Sequence, residues 1–239
     1  MTPVVQGVLH LVPVPLGSDD VASVLPQSAR TALAEIDYFI VENEKSARQF
    51  LARLPHPRPI RDLTIVLFDK DGTAAQAEQL LAPVTAGRSA GILSEAGCPG
   101  VADPGAILVD RAHRANLRVI PHVGPSALLL ALMASGFNGQ HFAFHGYLPV
   151  AVEACKLEIA RLERESRERD VTQLFIETPY RNDALLKSLL AACQARTRLC
   201  IASDLTLPTE TVVSNTVEAL RKKAMVIGKR PTVFLLYAR

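Results

Sequence analysis

Residues 89–105 read SAGILSEAGCPGVADPG, an apolar run, Ser89 to Leu93, that passes directly into a segment crowded with Gly, Pro and carboxylates. A strand that ends in such a segment delivers main chain to a ligand. Gly97, Gly100 and Gly105 permit positive φ and close approach of backbone, while Pro99 and Pro104 stiffen the loop and lower its ordering entropy. Glu95 and Asp103 supply carboxylates for hydroxyl or amine hydrogen bonds. A second loop of the same kind lies near the N-terminus: the apolar run GVLHLV, residues 7–12, is followed at once by Pro13-Val14-Pro15-Leu16-Gly17-Ser18-Asp19-Asp20. Two stiff loops after two apolar strands suggest one crevice at the carboxyl ends of a sheet.

Outward from these loops, short apolar runs alternate with helix-like segments along the whole chain, the pattern of a layered α/β architecture. Strands are expected at Val8 to Val12, Tyr38 to Val41, Leu63 to Phe68, Ser89 to Leu93 and Leu117 to Pro121. Helices are expected near Gln27 to Glu35, Lys45 to Leu54, Ala74 to Leu81 and Ala106 to Ala115. At VIPHVGPS, residues 119–126, Pro and Gly cluster before an apolar helix, Ala127 to Ser135, which marks a domain junction. The expectation is an N-terminal α/β domain over 1–120 with a mostly parallel sheet. A C-terminal α/β domain over 121–239 follows, with strands at His141 to His145, Gln173 to Glu177, Leu199 to Ser203, Glu210 to Ser214 and Val233 to Tyr237. Shorter links there favour a mixed sheet, and polar loops after strands in both halves place a ligand cleft between the two domains.

At 239 residues and 49% apolar, the chain can bury a substantial core. The formal charge of +2, from 26 basic and 24 acidic residues, gives no global argument for a polyanionic partner. Cys98, Cys155, Cys193 and Cys200 have no CxxC spacing, which argues against a structural zinc or a disulfide framework and points to a reduced, cytoplasmic compartment. The start, MTPVVQGVLH, lacks the features of a secretory signal, and no run approaches the about 20 apolar residues of a membrane span.

Several chemistries are excluded by pattern. GxxxxGK[ST] and a strand-borne GxGxxG are absent, as is GxSxG; Ser126, in GPSA, reads as a helix cap. The six histidines adopt no metal-ligating spacing. Val152 to Arg169 interleaves acids and bases around an apolar stripe of Leu157, Ile159, Ala160 and Leu162, a solvated amphipathic helix. Its alternative is a basic edge of Arg161, Arg164, Arg167 and Arg169. Glu177-Thr178-Pro179-Tyr180-Arg181-Asn182 follows a strand and precedes a helix, a turn capped by Asn182 or Asp183 that also gathers a carboxylate, an aromatic ring and a guanidinium. Asp204 to Glu210, DLTLPTE, repeats that arrangement after the next strand.

Taken in order, PVPLG, SEAGCPGVADPG, VGPSALLLALMASG, FAFHGYLP, LFIETPYRN and DLTLPTE resemble the tetrapyrrole methylase superfamily over nearly the whole chain. Within it they are most similar to the branch that 2′-O-methylates a ribose of small-subunit ribosomal RNA. The resemblance implies S-adenosylmethionine as donor, held in a cleft between two α/β domains, in a homodimer. By position, Pro13, Pro15, Leu16 and Gly17 would line the cleft floor. Glu95, Ala96, Gly97, Cys98, Pro99, Val101 and Asp103 would embrace the methionine and ribose parts, with Ser126 and Ala127 at the methionine end. Phe144, Gly146, Glu177, Leu205 and the stretch Lys229-Arg230-Pro231-Thr232 would frame adenine.

The chain departs from the ribosomal branch at several points. It has SEAGCP for SDAGTP, Val41-Glu42-Asn43-Glu44-Lys45 for AEDTR, SDLTLPTE for RELTKxxE, and Ser18 for the Asn after PxPLG. Ser203 and Leu207 thus replace an Arg and a Lys suited to RNA phosphates. Methyl transfer to a hydroxyl requires a carboxylate to take the proton, and Asp103 leads the candidates, with Glu95, Glu42 and Glu210 after it. The leading reading is an S-adenosylmethionine-dependent methyltransferase of RNA or a ribosomal subunit. The alternatives are a methyltransferase of a tetrapyrrole-like or other small molecule, and a non-catalytic S-adenosylmethionine-binding module.

Overall fold

The structure is a computed structural model describing residues 6–18, 20–68 and 70–239; Asp19 of the first loop and the first five residues of the N-terminal segment lie outside them. The chain divides into two compact units, Met1–Ser126 and Ala127–Arg239.

The first unit runs β1 (Val8–Val12), α1 (Val21–Val24), α2 (Gln27–Ala34), β2 (Tyr38–Val41), α3 (Glu44–Ala52), β3 (Thr64–Leu67), α4 (Ala74–Thr85), β4 (Ala90–Leu93), α5 (Gly105–Arg114) and β5 (Arg118–Pro121). Its strands pair in parallel in the order β3-β2-β4-β1-β5. Alternating side chains serve two cores. Val12, Phe39, Val41 and Leu93 pack with α1 to α3, whereas Leu9, Tyr38, Ile40, Ala90 and Ile92 pack with α4 and α5. The unit is therefore doubly wound, and its near-continuous apolar strands reflect burial on both faces. From the neighbouring strands β1 and β4 the chain departs in opposite directions, so the loops after them flank a topological switch point, where open α/β sheets bind ligands. α4 continues a turn beyond the expected Leu81, through Pro83, to Thr85. Apolar burial of Leu81 and Val84 on one face outweighs the single ladder bond that Pro83 omits.

The second unit runs α6 (Ala127–Ser135), β6 (Phe142–Tyr147), α7 (Val152–Arg169), β7 (Thr172–Ile176), α8 (Asn182–Ala192), β8 (Arg198–Ser203), β9 (Thr211–Thr216), α9 (Val217–Arg221) and β10 (Thr232–Tyr237). Its sheet order is β6-β7-β10-β8-β9, with β6 and β7 parallel and the other pairs antiparallel. The carboxyl ends of β6, β7 and β8 and the start of β10 consequently share one sheet edge. α7, α8 and α9 cover one face through Ile159, Leu162, Leu186, Leu189 and Leu220.

The α7 stripe differs from the expected one. Its buried residues are Cys155, Ile159, Leu162, Glu163 and Ser166, while Ala160 is exposed and Leu157 is 73% exposed. Glu163 is tolerated inside because it accepts hydrogen bonds from Gln194 N at 2.7 Å and Thr197 Oγ1 at 2.5 Å. Three arginines of the alternative basic edge are tied to carboxylates of their own helix: Arg161 to Glu158 and Glu165, Arg169 to Glu165, and Arg167 to Glu163.

Candidate active site

At the switch point of the first unit, the loops after β1 and β4 are joined main chain to main chain. Val14 N donates to Gly97 O at 2.8 Å and Gly97 N to Val14 O at 2.9 Å. Gly97 has φ +77° and Gly100 φ +83°, conformations that favour glycine. Gly105, in contrast, opens α5 without positive φ, and a Cβ there would stand 2.8 Å from Asp103 Oδ1. Ser94 Oγ donates to Gly97 O at 3.1 Å, and the Cys98 thiol donates to Pro125 O at 3.3 Å, which ties in the loop after β5 just before Ser126. Pro13, Pro15, Leu16, Gly17, Glu95, Ala96, Gly97, Cys98, Pro99, Val101, Asp103 and Ser126 thus all lie on the loops after β1, β4 and β5, three strands adjacent in the sheet.

Three carboxylates meet beside this loop pair. Asp103 Oδ1 accepts from Gly100 N and Gly105 N, both at 2.7 Å, so it closes the loop on itself. Glu42, at the end of β2, accepts through Oε2 from Glu95 N at 3.0 Å, and Asn43 Nδ2 donates to Glu95 Oε1 at 2.9 Å. Asn43 at the same time caps α3 through Oδ1, accepting from Lys45 N and Ser46 N. Glu42, Ser94 and Asp103 line a small crevice floored by Phe68, Leu93 and Leu108. Burial raises the Asp103 carboxyl against the opposing pull of its two N–H donors. Burial also raises Glu42, with the negative charges of Asp103 and Glu95 adding to it. The Cys98 thiol is likewise pushed up, by burial and then by Asp103, so it is a neutral hydrogen-bond donor and no thiolate nucleophile.

The second unit gathers its own group at one sheet edge. Gly146, at φ +64°, lies where the β6–β7 register shifts between Phe144 and Tyr147; Ala127 opens α6. Glu177 follows β7 with a buried side chain, its Oε1 accepting from Thr178 N at 2.7 Å and its Oε2 lying 2.8 Å from Arg181 Nη2. That Oε2 contact is an ion pair without hydrogen-bond alignment. Across the edge, Thr232 Oγ1 lies 2.9 Å from Ser203 Oγ, and Asp204 N donates to Pro231 O. Leu205 is buried beside them.

Asn182 and Asp183 do not cap α8. Asn182 Nδ2 instead donates to Arg230 O at 2.7 Å and Gly228 O at 3.1 Å, and Asp183 Oδ1 accepts from Ile227 N at 2.7 Å. Both side chains hold the segment before β10, a segment distant in sequence. Asn182 is fully buried and its Oδ1 lacks a partner among the described residues. Glu210, a candidate base, has its Oε2 engaged by Thr206 N at 2.7 Å. The contacts that sequence reasoning passed over are those of Asn43 to Glu95, Pro125 to Cys98 and Asn182 to Gly228 and Arg230; only the cap that Asn43 also makes carries a local signal, because the other contacts reach partners far along the chain. Among the described residues no group of three or more His, Cys, Asp or Glu is placed to hold a metal ion.

Residues 8–221 match the family model described as Tetrapyrrole (Corrin/Porphyrin) Methylases. The chain is 32% identical to ribosomal RNA small subunit methyltransferase I of Xylella fastidiosa over 90% of its own length and 74% of that protein's. It is 31% identical to the protein of the same name from Vibrio cholerae, over 86% and 67%. Among solved structures, the methyltransferase CobJ superposes with TM-score 0.66 at 19% identity, covering 98% of this chain and 95% of that one. Uroporphyrin-III C-methyl transferase from Thermus thermophilus, complexed with S-adenosyl homocysteine, gives 0.59 at 20% identity and 97% of each chain. The chain belongs to the tetrapyrrole methylase family and is an S-adenosylmethionine-dependent methyltransferase.

Proposed function

We propose that the chain methylates a ribose 2′-oxygen of small-subunit ribosomal RNA and works as a cytoplasmic homodimer. The observation that carries this reading is that relatives named ribosomal RNA small subunit methyltransferase I match 86–90% of the chain at 31–32% identity.

The residues present fit the donor. In the first unit, the doubly bonded Val14–Gly97 pair and the positive-φ Gly97 and Gly100 leave main chain uncovered by side chains, and the carboxylates of Glu42, Glu95 and Asp103 suit ribose hydroxyls and a cationic ligand. Pro13, Pro15, Leu16, Gly17, Ala96, Cys98, Pro99, Val101, Ser126 and Ala127 are assigned to the methionine and ribose parts. In the second unit, the buried Asn182 Oδ1 and Glu177 Oε2 are acceptors without an aligned donor, suited to an exocyclic amine. Phe144, Gly146, Leu205, Pro231 and Thr232 complete that set.

S-adenosylmethionine supplies an electrophilic methyl group on a sulfonium. The chain's own part is to orient the acceptor, exclude water and take the hydroxyl proton. Asp103 is assigned to that proton transfer, with Glu95 beside it. Oδ1 of Asp103 is held by two N–H groups, so Oδ2 is the oxygen that accepts the proton, and the burial that raises the carboxyl makes it a better base.

Two features support the rest of the reading. On α6, Leu129 and Met133 lie one turn apart and are 51% and 79% exposed, an apolar stripe suited to a second copy. All four cysteines are free thiols, in keeping with a reducing compartment.

The test is to incubate the protein with methyl-labelled donor and small ribosomal subunits from a strain lacking the gene, then map the label. Label at a ribose of the small-subunit RNA is expected. Label found only in a small-molecule extract would replace this reading with the metabolite methyltransferase.

A further inference from the structure

The RNA-directed reading leaves open what on the chain would hold the RNA, since a near-neutral overall charge of +2 provides no general attraction. One surface of the second unit departs from that neutrality. Residues 221–230, RKKAMVIGKR, carry Arg221, Lys222, Lys223, Lys229 and Arg230 and no carboxylate. The segment runs the length of α8: Arg221 Nε donates to Leu190 O and its Nη2 to Cys193 O at the helix end, while Ile227 N reaches Asp183 at the helix start. Lys222 is paired with Glu218 and Arg230 with Asp204, so among the described residues the cations of the segment without a carboxylate partner are Arg221, Lys223 and Lys229, spread along a track rather than gathered in a cluster. At the amino end of α8 stands Tyr180, 80% exposed, with Lys229 Nζ 4.8 Å from its ring centroid. Arg181 is adjacent, held toward the sheet by Glu177.

A tyrosine ring in solvent gains nothing from core packing. With a cation over one face and solvent on the other, it has the form of a platform for a planar π-system, flanked by charges for phosphates. We propose that Tyr180, backed by Lys229, stacks an unpaired base of the RNA, and that the 221–230 track holds the phosphates that follow it. The proposal rests on the RNA reading above and adds the residues that engage the acceptor strand. Stacking favours single-stranded RNA, since bases in a duplex are already stacked. It also places the acceptor's electrostatic hold outside Ser203 and Leu207, where related chains have Arg and Lys.

The test is fluorescence anisotropy of a labelled single-stranded RNA oligonucleotide with the full-length protein at several salt concentrations. Tyr180→Ala is expected to weaken binding about tenfold or more, and Tyr180→Phe to stay within about twofold. Lys229→Gln is expected to weaken binding and to reduce the log–log salt slope by about one. Both Tyr180 variants should bind S-adenosylhomocysteine as wild type does by calorimetry, which reports that the fold is intact. Wild-type protein that does not bind the oligonucleotide at low salt overturns the proposal. So does equal RNA affinity for Tyr180→Ala and wild type, or a Tyr180→Ala variant whose only change is a shift from dimer to monomer in sedimentation. If Tyr180-dependent RNA binding holds but no label enters ribosomal RNA, the function proposed above fails and this surface stands. If ribosomal RNA is labelled with an unchanged KM in Tyr180→Ala, the reverse is true.

Discussion

Val14 and Gly97 exchange two main-chain hydrogen bonds, of 2.8 and 2.9 Å, across the loops that leave neighbouring parallel strands. They form an antiparallel bridge at the end of a parallel pair, so one of the two segments must reverse direction after its strand. Gly97 makes that turn at φ +77°, and a Cβ on it would lie 3.4 Å from Leu16 Cδ2. An L side chain in this region costs about 1–2 kcal/mol. Gly97→Ala should therefore lower the unfolding free energy by about that amount. It should weaken S-adenosylhomocysteine binding by about tenfold or more, because the strained loop relaxes away from its bridge. Calorimetric titration alongside a thermal melt checks both; unchanged affinity would remove this loop from the donor site.

Asp103 closes its own loop and is the base proposed above, and two substitutions separate the structural role from the proposed one. Asp103→Asn keeps an Oδ1 acceptor for Gly100 N and Gly105 N, so donor affinity should change little, while methyl transfer falls by about 10²-fold or more with the base removed. Asp103→Ala leaves two N–H groups without their acceptor and should lose donor affinity as well. The wild-type rate should rise with pH through the raised carboxyl pKa and then level off. Full activity in Asp103→Asn would assign the carboxylate to loop closure alone.

Strand positions are legible in the sequence because runs such as Tyr38–Val41 and Ala90–Leu93 are buried on both faces and read as unbroken apolar blocks. The loops after β1 and β4 are legible for a related reason: Gly and Pro there answer to local backbone geometry. What the sequence hides are residues whose partners lie far along the chain. Asn182 reads as a helix cap, yet it acts on Gly228 and Arg230, more than forty positions away. The buried stripe of α7 includes Glu163, which no hydrophobic pattern places inside without knowledge of Gln194 and Thr197. α9 escapes notice because five residues are too short for periodicity to register.

Thr206 has φ +74°, an outlying conformation for a β-branched residue, and its hydroxyl is buried without a partner among the described residues. The loop holds this strain through Thr206 N to Glu210 and through Asp204, which binds both Thr209 Oγ1 and Arg230 Nε. Thr206→Gly removes the side-chain strain and the orphaned hydroxyl, and should stabilise the protein by about 1 kcal/mol despite the greater freedom of the unfolded chain. A denaturant titration with an unchanged m-value and a higher midpoint is the expected outcome. A lower midpoint would mean that Thr206 makes a favourable contact that outweighs its conformation.

His10 Nδ1 and His122 Nε2 lie 2.9 Å apart with their rings stacked, a contact that requires at least one neutral ring. Burial, the neighbouring His122 and then Arg118 pull His10 down from 6.5 to about 4, and burial lowers His122 too. As pH falls below about 6.5 the unfolded chain takes up a proton that the folded His10 refuses until about pH 4, so stability is lost across that window and the loss is complete below it. Asp37 acts elsewhere on the scale. Hydrogen bonds from Arg88 and then Arg58 lower its carboxyl, so its contribution is present above the ordinary Asp value of 3.8 and disappears only as pH falls through the lowered one. His10→Gln should therefore flatten the decline in melting temperature between pH 6.5 and 4, whereas Asp37→Asn should lower stability at neutral pH and leave that window's slope unchanged. Parallel slopes for wild type and His10→Gln from pH 6.5 to 4 would show that the pair does not govern acid sensitivity.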